Sequence, residues 1–517
     1  MKKNPKVPKN SRQRRIRRTV LTVVGTLLLL AAYLLFFAAR WYLDTYGNTG
    51  FDSILFTLFS DLGGVESDLI LSFLVKAGVP TVVCTLVTAV AIFYKPRRRS
   101  TSVYPFSNAA AMTLCLVLVL VLAGSALFLT GGHLYLYDMY HESGIYEEAY
   151  VDPDEVEITF PAEKRNLIYI FLESMETTYF SREQGGAEEV NLIPELYALA
   201  EENINFSESD AVGGFRSPSG TTWTIGAMVG HTSGVPLKVP DNIEDWQNGY
   251  GKDGVFLPGL TSLMDILHEN GYYQSLMVGS VASFGGRKTY YQTHGTDKIY
   301  ELTTARRDGI VPGDYFVWWG MEDQHLFEYA KQELTRIAAQ DQPFAFSMLT
   351  VDTHHIGGYV CENCENAHEE QYENVISCSS RQVAEFVRWI QAQDFYENTT
   401  IIICGDHPSM DKGYFKRNVE EDYIRRIYNC IINAPIDTAY SKNRDFTSLD
   451  LFPTTLAAMG CTIEGDRLGL GTNLFSGKKT LTEIMGYDRF DRAVSQKSAY
   501  YAEEFRLETA ETQTTMP

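Results

Sequence analysis

The stretch GGFRSPSGTTWTIGAMVG, residues 213–230, sets five hydroxyl side chains around Gly220: Ser217, Ser219, Thr221, Thr222 and Thr224. A threonine hydroxyl is a poor nucleophile at neutral pH, but coordination to a divalent cation lowers its pKa and makes an alkoxide available. If Thr224 opens a helix over TIGAMVGH, the helix N-terminus also favours a bound phosphate. Taken alone, the loop reads as a helix N-cap with turn residues around Gly220. The chemistry needs partners, and these stand where apolar runs end. NLIYIFLE ends at Glu173, TTIIICGD at Asp406 with His407 next, and FAFSMLTVD at Asp352, followed by Thr353, His354 and His355. Carboxylate and imidazole together suit a divalent metal. At any one position an Asp cap after a strand is the commoner reading; three such ends shift the balance. Arg287 and Lys288 in SFGGRKTYY offer charge for a phosphoryl group, a solvated loop being the plain alternative. Trp318 and Trp319 read as core, with a sugar platform as the alternative.

Strands must position these groups. NLIYIFLE (166–173), YYQSLMVG (272–279), FAFSMLTVD (344–352), TTIIICGD (399–406) and YNCIINA (428–434) are nearly all apolar, as strands buried on both faces are. Helical patterns such as LIPELYALAEEN and SRQVAEFVRWIQAQ lie between them. The alternation predicts an α/β domain with a mainly parallel central sheet, where ligands bind beyond the carboxyl ends of the strands.

The chain carries a net charge of −21 over 517 residues. Residues 1–100 hold 15 Lys/Arg and 5 Asp/Glu, a net of +10, which leaves −31 on the rest. An acidic body excludes nucleic acid as its main partner. The basic head carries three apolar runs, 19–39, 77–94 and 109–130, each near the roughly 20 residues that span a bilayer. The first is too long for a signal-peptide core and lacks a small-residue cleavage site. The segment 51–74 is apolar but interrupted by Asp52, Asp61, Glu66 and Asp68, and reads as an outer or re-entrant piece. Basic residues before the first span and in KPRRR (95–99) belong on the cytoplasmic side, so three crossings put the body outside. The expected organisation is a basic tail (1–18), a membrane region (19–131), a linker (132–163), a catalytic domain (164–500) and a tail (501–517). CENC (361–364) resembles half a zinc site without its second half; in an oxidising compartment a local disulfide, such as Cys361 to Cys378, is favoured.

In combination, FLESME, GTTWTIGAMVGHTSGVPL, LTVDTHH, CGDH and DRLGLGTNLFS resemble the lipoteichoic acid synthases and the membrane-oligosaccharide phosphoglycerol transferases of the alkaline phosphatase and sulfatase superfamily, the latter group more closely. The resemblance runs from about residue 51 to 476. It implies a sulfatase-like extracytoplasmic domain with one divalent ion, Mn²⁺ first and Mg²⁺ or Zn²⁺ as alternatives. It implies Glu173, Asp406 and His407 as metal ligands, with Thr224 as both ligand and nucleophile; Thr221 and Thr222 are the choices if the register slips. It further implies phosphate contacts from His354 or His355 and from Arg287. The Cys/Ser-x-Pro-x-Arg motif of sulfatases is not matched by RSPSGT, since Pro218 directly follows Ser217, and this counts against sulfatase activity.

The function so implied is transfer of glycerophosphate from phosphatidylglycerol to an envelope glycan or polyglycerol-phosphate chain, at the plasma membrane, through a phospho-threonine intermediate. The alternatives are a phosphoethanolamine transferase or phosphodiesterase of the same superfamily, or a silent membrane protein that binds envelope polymer.

Overall fold

The computed structural model describes residues 9–47, 50–59, 67–93, 108–239 and 254–505. They fall into two compact units, Met1–Asn48 with Val65–Leu134, and Thr49–Gly64 with Tyr135–Pro517.

The first unit is helical. Its stretches Ile16–Tyr46, Leu69–Phe93 and Ala109–Leu129 are long and apolar enough to cross a membrane. Leu29, Ile92, Ala111 and Cys115 are buried among them. A β-carbon at Gly25 would stand 2.6 Å from the Phe93 ring, so glycine lets these helices close. Outward-facing Leu27, Val87 and Leu120 are 59%, 65% and 72% exposed, the surface expected of helices solvated by lipid. The second apolar helix starts earlier than the sequence suggested, because Ser67–Phe73 and Leu74–Gly78 lead straight into Val79–Phe93. The expected outer segment 51–74 is therefore divided. Its second part joins this span, while the helix Phe51–Phe59 belongs to the other unit. The basic KPRRR stretch lies outside the described residues.

In the second unit, seven strands form one sheet among the described residues. In chain order they are β1 (Asn166–Leu172), β2 (Gly214–Phe215), β3 (Tyr273–Val278), β4 (Lys298–Tyr300), β5 (Phe344–Leu349), β6 (Thr399–Gly405) and β7 (Ile427–Ile432). Their order across the sheet is β2-β7-β6-β1-β5-β3-β4. β1 pairs in parallel with β5 and β6, and β3 in parallel with β5 and β4. β7 runs antiparallel to β6, and β2 to β7. The five apolar runs are all strands of this sheet. β1 explains why they lack alternation: Leu167, Tyr169 and Phe171 enter the core on one face, and Ile168, Ile170 and Leu172 that on the other. With both faces covered, the positions from Leu167 to Leu172 are apolar or aromatic.

The stretch 132–163, expected as a linker, holds helices Gly132–Met139 and Ile145–Ala149 and a short strand, Ile158–Thr159, paired with Thr462–Ile463. Tyr146 is buried against Tyr501 and Phe505, so the core draws in residues on both sides of the expected 164–500 domain. Of the tail expected at 501–517, Tyr501–Phe505 forms a helical turn, and residues 506–517 lie outside the described residues. Among the described residues no disulfide joins the cysteines; the Cys-x-x-Cys turn carries Cys364 to the same place as Cys361 and Cys378.

Candidate active site

Parallel register builds the centre of the site. Leu172 at the end of β1 lies opposite Gly405 at the end of β6. The next residues, Glu173 and Asp406, therefore leave the sheet side by side, with His407 following. Only glycine fits at 405, where a β-carbon would stand 2.0 Å from the Met175 carbonyl oxygen. One donor atom each from Glu173, Asp406 and His407 lies within 4.8 Å of the other two. His407 Nε2 is 3.7 Å from Glu173 Oε1 and 3.4 Å from Asp406 Oδ2. All three residues are buried.

The surrounding hydrogen bonds orient these donors and leave some of them unused. Asp406 Oδ1 accepts from the backbone N–H of Ser174 (2.8 Å) and of His407 (2.7 Å), while Oδ2 is buried with no hydrogen-bond partner. The Ser174 hydroxyl donates to Glu173 Oε1 at 2.7 Å. His407 Nδ1 faces the Pro408 carbonyl oxygen at 3.0 Å, which fixes the ring and turns Nε2 inward. Burial, aided by the charge of Glu173, pushes the Asp406 carboxyl up to about 7. Burial also pulls His407 down, but Asp406 and Glu173 outweigh it and raise the imidazole. A buried carboxylate oxygen without a donor, beside a second carboxylate, calls for positive charge. Oxygen and imidazole donors fit a divalent cation there.

Thr224 comes from another direction, at the first position of the helix Thr224–Ser233. Trp223 precedes it in extended backbone, every residue from Ile225 to Ser233 is buried, and left-handed Gly234 (φ 69°) ends the helix. Gly220 turns the chain towards this start at φ +85°, where a β-carbon would stand 2.8 Å from the Leu237 carbonyl oxygen. Thr224 Oγ1 lies 3.3 Å from His407 Nε2. Thr221 is tied elsewhere, donating to the Pro218 carbonyl (2.7 Å) and accepting from Ser448 (3.2 Å). The structure thus separates hydroxyls that the sequence could not rank.

His354 and Arg287 lie within electrostatic reach of this centre. Their charged forms interact with Glu173, and His354 also with His407 and Arg287. Burial lowers the His354 imidazole, and that of its neighbour His355 well below the usual range. The two rings stack at 4.4 Å. Arg287 is buried and braced by its own loop: Nε donates to the Phe284 carbonyl (3.1 Å), and Nη2 to Ser280 Oγ and the Val281 carbonyl (both 3.0 Å). Burial brings its pKa down to about 10, against the pull of Glu173 and Asp406, so it stays charged at neutral pH. Asp352 goes elsewhere and accepts from the Asp323 N–H at 3.1 Å.

Three contributors escaped the sequence reading. Ser174 adopts φ 55° to serve both carboxylates, and only its place beside Glu173 hinted at a role. Trp319, expected as core, is half-buried and tilts against the His354 ring at 4.6 Å. Phe56, from the helix Phe51–Phe59, is buried with its ring 5.7 Å from Trp223, backing the residue before Thr224. Nothing in the spacing of residues 51–59 pointed to that contact.

Comparison with known proteins adds the family. A family model described as Sulfatase matches residues 165–461. Phosphoglycerol transferase I from Salmonella choleraesuis (strain SC-B67) is 30% identical over 336 residues, covering 63% of this chain and 41% of that protein. The chain thus spans about two-fifths of the length of the curated relatives it matches. Among solved structures, a protein in the alkaline phosphatase superfamily from Vibrio parahaemolyticus superposes with a TM-score of 0.52 at 18% identity, over 70% of this chain and 94% of that one. The lipoteichoic acid synthase LtaP from Listeria monocytogenes gives 0.47 at 18% identity, over 62% and 79%. With more than half of its residues inside the matched region, the chain belongs to the sulfatase family, and its fold resembles that of the Vibrio protein.

Proposed function

We propose that this protein is a membrane-anchored, metal-dependent transferase that moves glycerophosphate from phosphatidylglycerol to an envelope glycan or polyglycerol-phosphate chain, with its catalytic unit outside the plasma membrane. The observation that carries this reading is the 3.3 Å approach of Thr224 Oγ1 to His407 Nε2, beside Glu173 and Asp406. The curated relatives named phosphoglycerol transferase I support the choice of donor.

Glu173, Asp406, His407 and Thr224 would hold one divalent ion, Mn²⁺ being the first choice. When bound, that ion supplies Lewis-acid charge that acidifies a hydroxyl and offsets charge on phosphoryl oxygens. Thr224 Oγ1 gives up its proton and attacks phosphorus, the bond to the diacylglycerol oxygen breaks, and that oxygen takes up a proton to leave as diacylglycerol. Glycerophosphate then sits on Thr224 as an ester. An acceptor hydroxyl gives up its proton and attacks the same phosphorus, the bond to Thr224 Oγ1 breaks, and that oxygen takes up a proton to restore the free threonine. Dividing one displacement into two lowers each barrier. Arg287 and the helix N-terminus at Thr224 place positive charge where negative charge gathers on the phosphoryl oxygens. His354 or His355 contacts the phosphate as a neutral imidazole.

The test is release of diacylglycerol from labelled phosphatidylglycerol by the purified protein with Mn²⁺. Thr224→Ala is expected to abolish release and the labelled protein ester; full turnover in that variant overturns the reading.

A further inference from the structure

A second group of metal-binding side chains lies in the loop from β5 to the helix Gln371–Gln391, and the transfer reaction has no use for it. Cys361 and Cys364 form a Cys-x-x-Cys turn, in which the Cys364 N–H donates to the Cys361 carbonyl at 3.1 Å. Cys378 meets them from the helix. Cys361 Sγ is 3.7 Å from both Cys364 Sγ and Cys378 Sγ, and all three sulfurs lie within 4.8 Å of one another. Thiolates bound about 2.3 Å from a zinc ion at tetrahedral corners stand about 3.8 Å apart. Both close sulfur pairs have that spacing, and a disulfide would join two sulfurs while leaving the third unexplained. A separate observation concerns Gln382, buried one helical turn beyond Cys378. Its side-chain Nε2 points at two of the sulfurs, 3.4 Å from Cys378 and 3.7 Å from Cys361. An amide N–H aimed at paired sulfurs stabilises the thiolate form, which is the form that binds metal.

We propose that Cys361, Cys364 and Cys378 bind a soft d¹⁰ cation, zinc(II) foremost, through three thiolates, with water at the fourth corner. Each thiol releases its proton to solvent on binding, and no oxidation state changes. The ion fastens the loop that carries His354 and His355 to the buried helix Gln371–Gln391. The site stands apart from the Glu173, Asp406 and His407 group, so its occupancy does not depend on the transfer reaction.

The test uses the full chain in detergent, purified without added reductant or chelator, with zinc measured by elemental mass spectrometry. Glu173→Gln, which weakens the other site, should retain about one zinc per chain, whereas Cys378→Ser should lose it. In the wild-type protein, whose folding is not in question, all three cysteines should resist alkylation until a chelator is added and then react together. Cobalt(II) in place of zinc should give a thiolate-to-cobalt charge-transfer band in the near ultraviolet. A disulfide found among the three by mass spectrometry of freshly isolated, unreduced protein overturns the proposal. So does equal zinc content in wild type and Cys378→Ser.

Discussion

Asp406 gives the site its pH dependence. Burial holds its carboxyl near 7, so it must lose a proton before it can ligate a cation. His407, whose imidazole is raised, must lose its proton as well, so Mn²⁺ affinity is expected to rise with pH through about 7, read by titration calorimetry between about pH 5 and about pH 8. A flat profile would mean that neither Asp406 nor His407 is a ligand. The sign for stability runs the other way without metal. A carboxyl raised above its unfolded value stabilises the fold below about pH 4, and that contribution is lost as pH rises through about 7. Added Mn²⁺ should therefore raise the melting temperature more at pH 8 than at pH 5, by reversing a loss present only at the higher pH. Arg287 makes a second prediction. Arg287→Gln removes the guanidinium charge together with its bonds to Phe284, Ser280 and Val281, and should lower diacylglycerol release by about 10²-fold, the usual scale for losing one stabilising group, measured beside the melting temperature of the variant. Unchanged turnover would detach Arg287 from the phosphoryl group.

The helix Thr224–Ser233 is only as well placed as the pieces behind it. Phe56 is 4% exposed, packed beside Trp223. Phe56→Ala removes a buried ring and should cost about 3 kcal/mol of stability, with a loss of transfer because the residue before Thr224 is no longer backed. An unchanged denaturation midpoint would show that the helix Phe51–Phe59 is not docked there. Gly220→Ala tests the turn: a β-carbon at φ +85°, 2.8 Å from a backbone oxygen, forces the loop to shift. It should lower turnover more than it lowers binding of phosphatidylglycerol. Equal losses of both would place the defect in general folding. The strands behind these predictions were legible as apolar runs, because burial on both faces leaves little room for polar positions. The two-residue β2 and the three-residue β4 were not, since so few residues make no pattern.

At the scale of the whole molecule, the proposed function gives the apolar spans a role, which is to hold the site beside a lipid donor. If the donor is a membrane lipid, protein reconstituted in vesicles should consume phosphatidylglycerol in its own bilayer much faster than in separate vesicles, since tethering raises effective concentration. Equal rates would remove that role from the anchor. Orientation is tested by protease added outside intact cells, which should cleave within the catalytic unit; protection there would contradict the positive-inside reading of Lys2 to Arg18 and KPRRR.

Residue types and order by themselves determined the class of this protein: apolar runs long enough to span a bilayer, apolar strands alternating with helices, and carboxylate or histidine at three strand ends. Those properties follow from local composition and period. Which of the five hydroxyls faces His407, and that Asp352 turns to Asp323 while Asp406 meets Glu173, only the tertiary structure decided. The reason is register: Leu172 lies opposite Gly405 across two strands more than two hundred residues apart, and no local pattern encodes that pairing. The same holds for Phe56 behind Trp223 and for Cys378 beside the Cys361–Cys364 turn, where separate stretches of chain close one site.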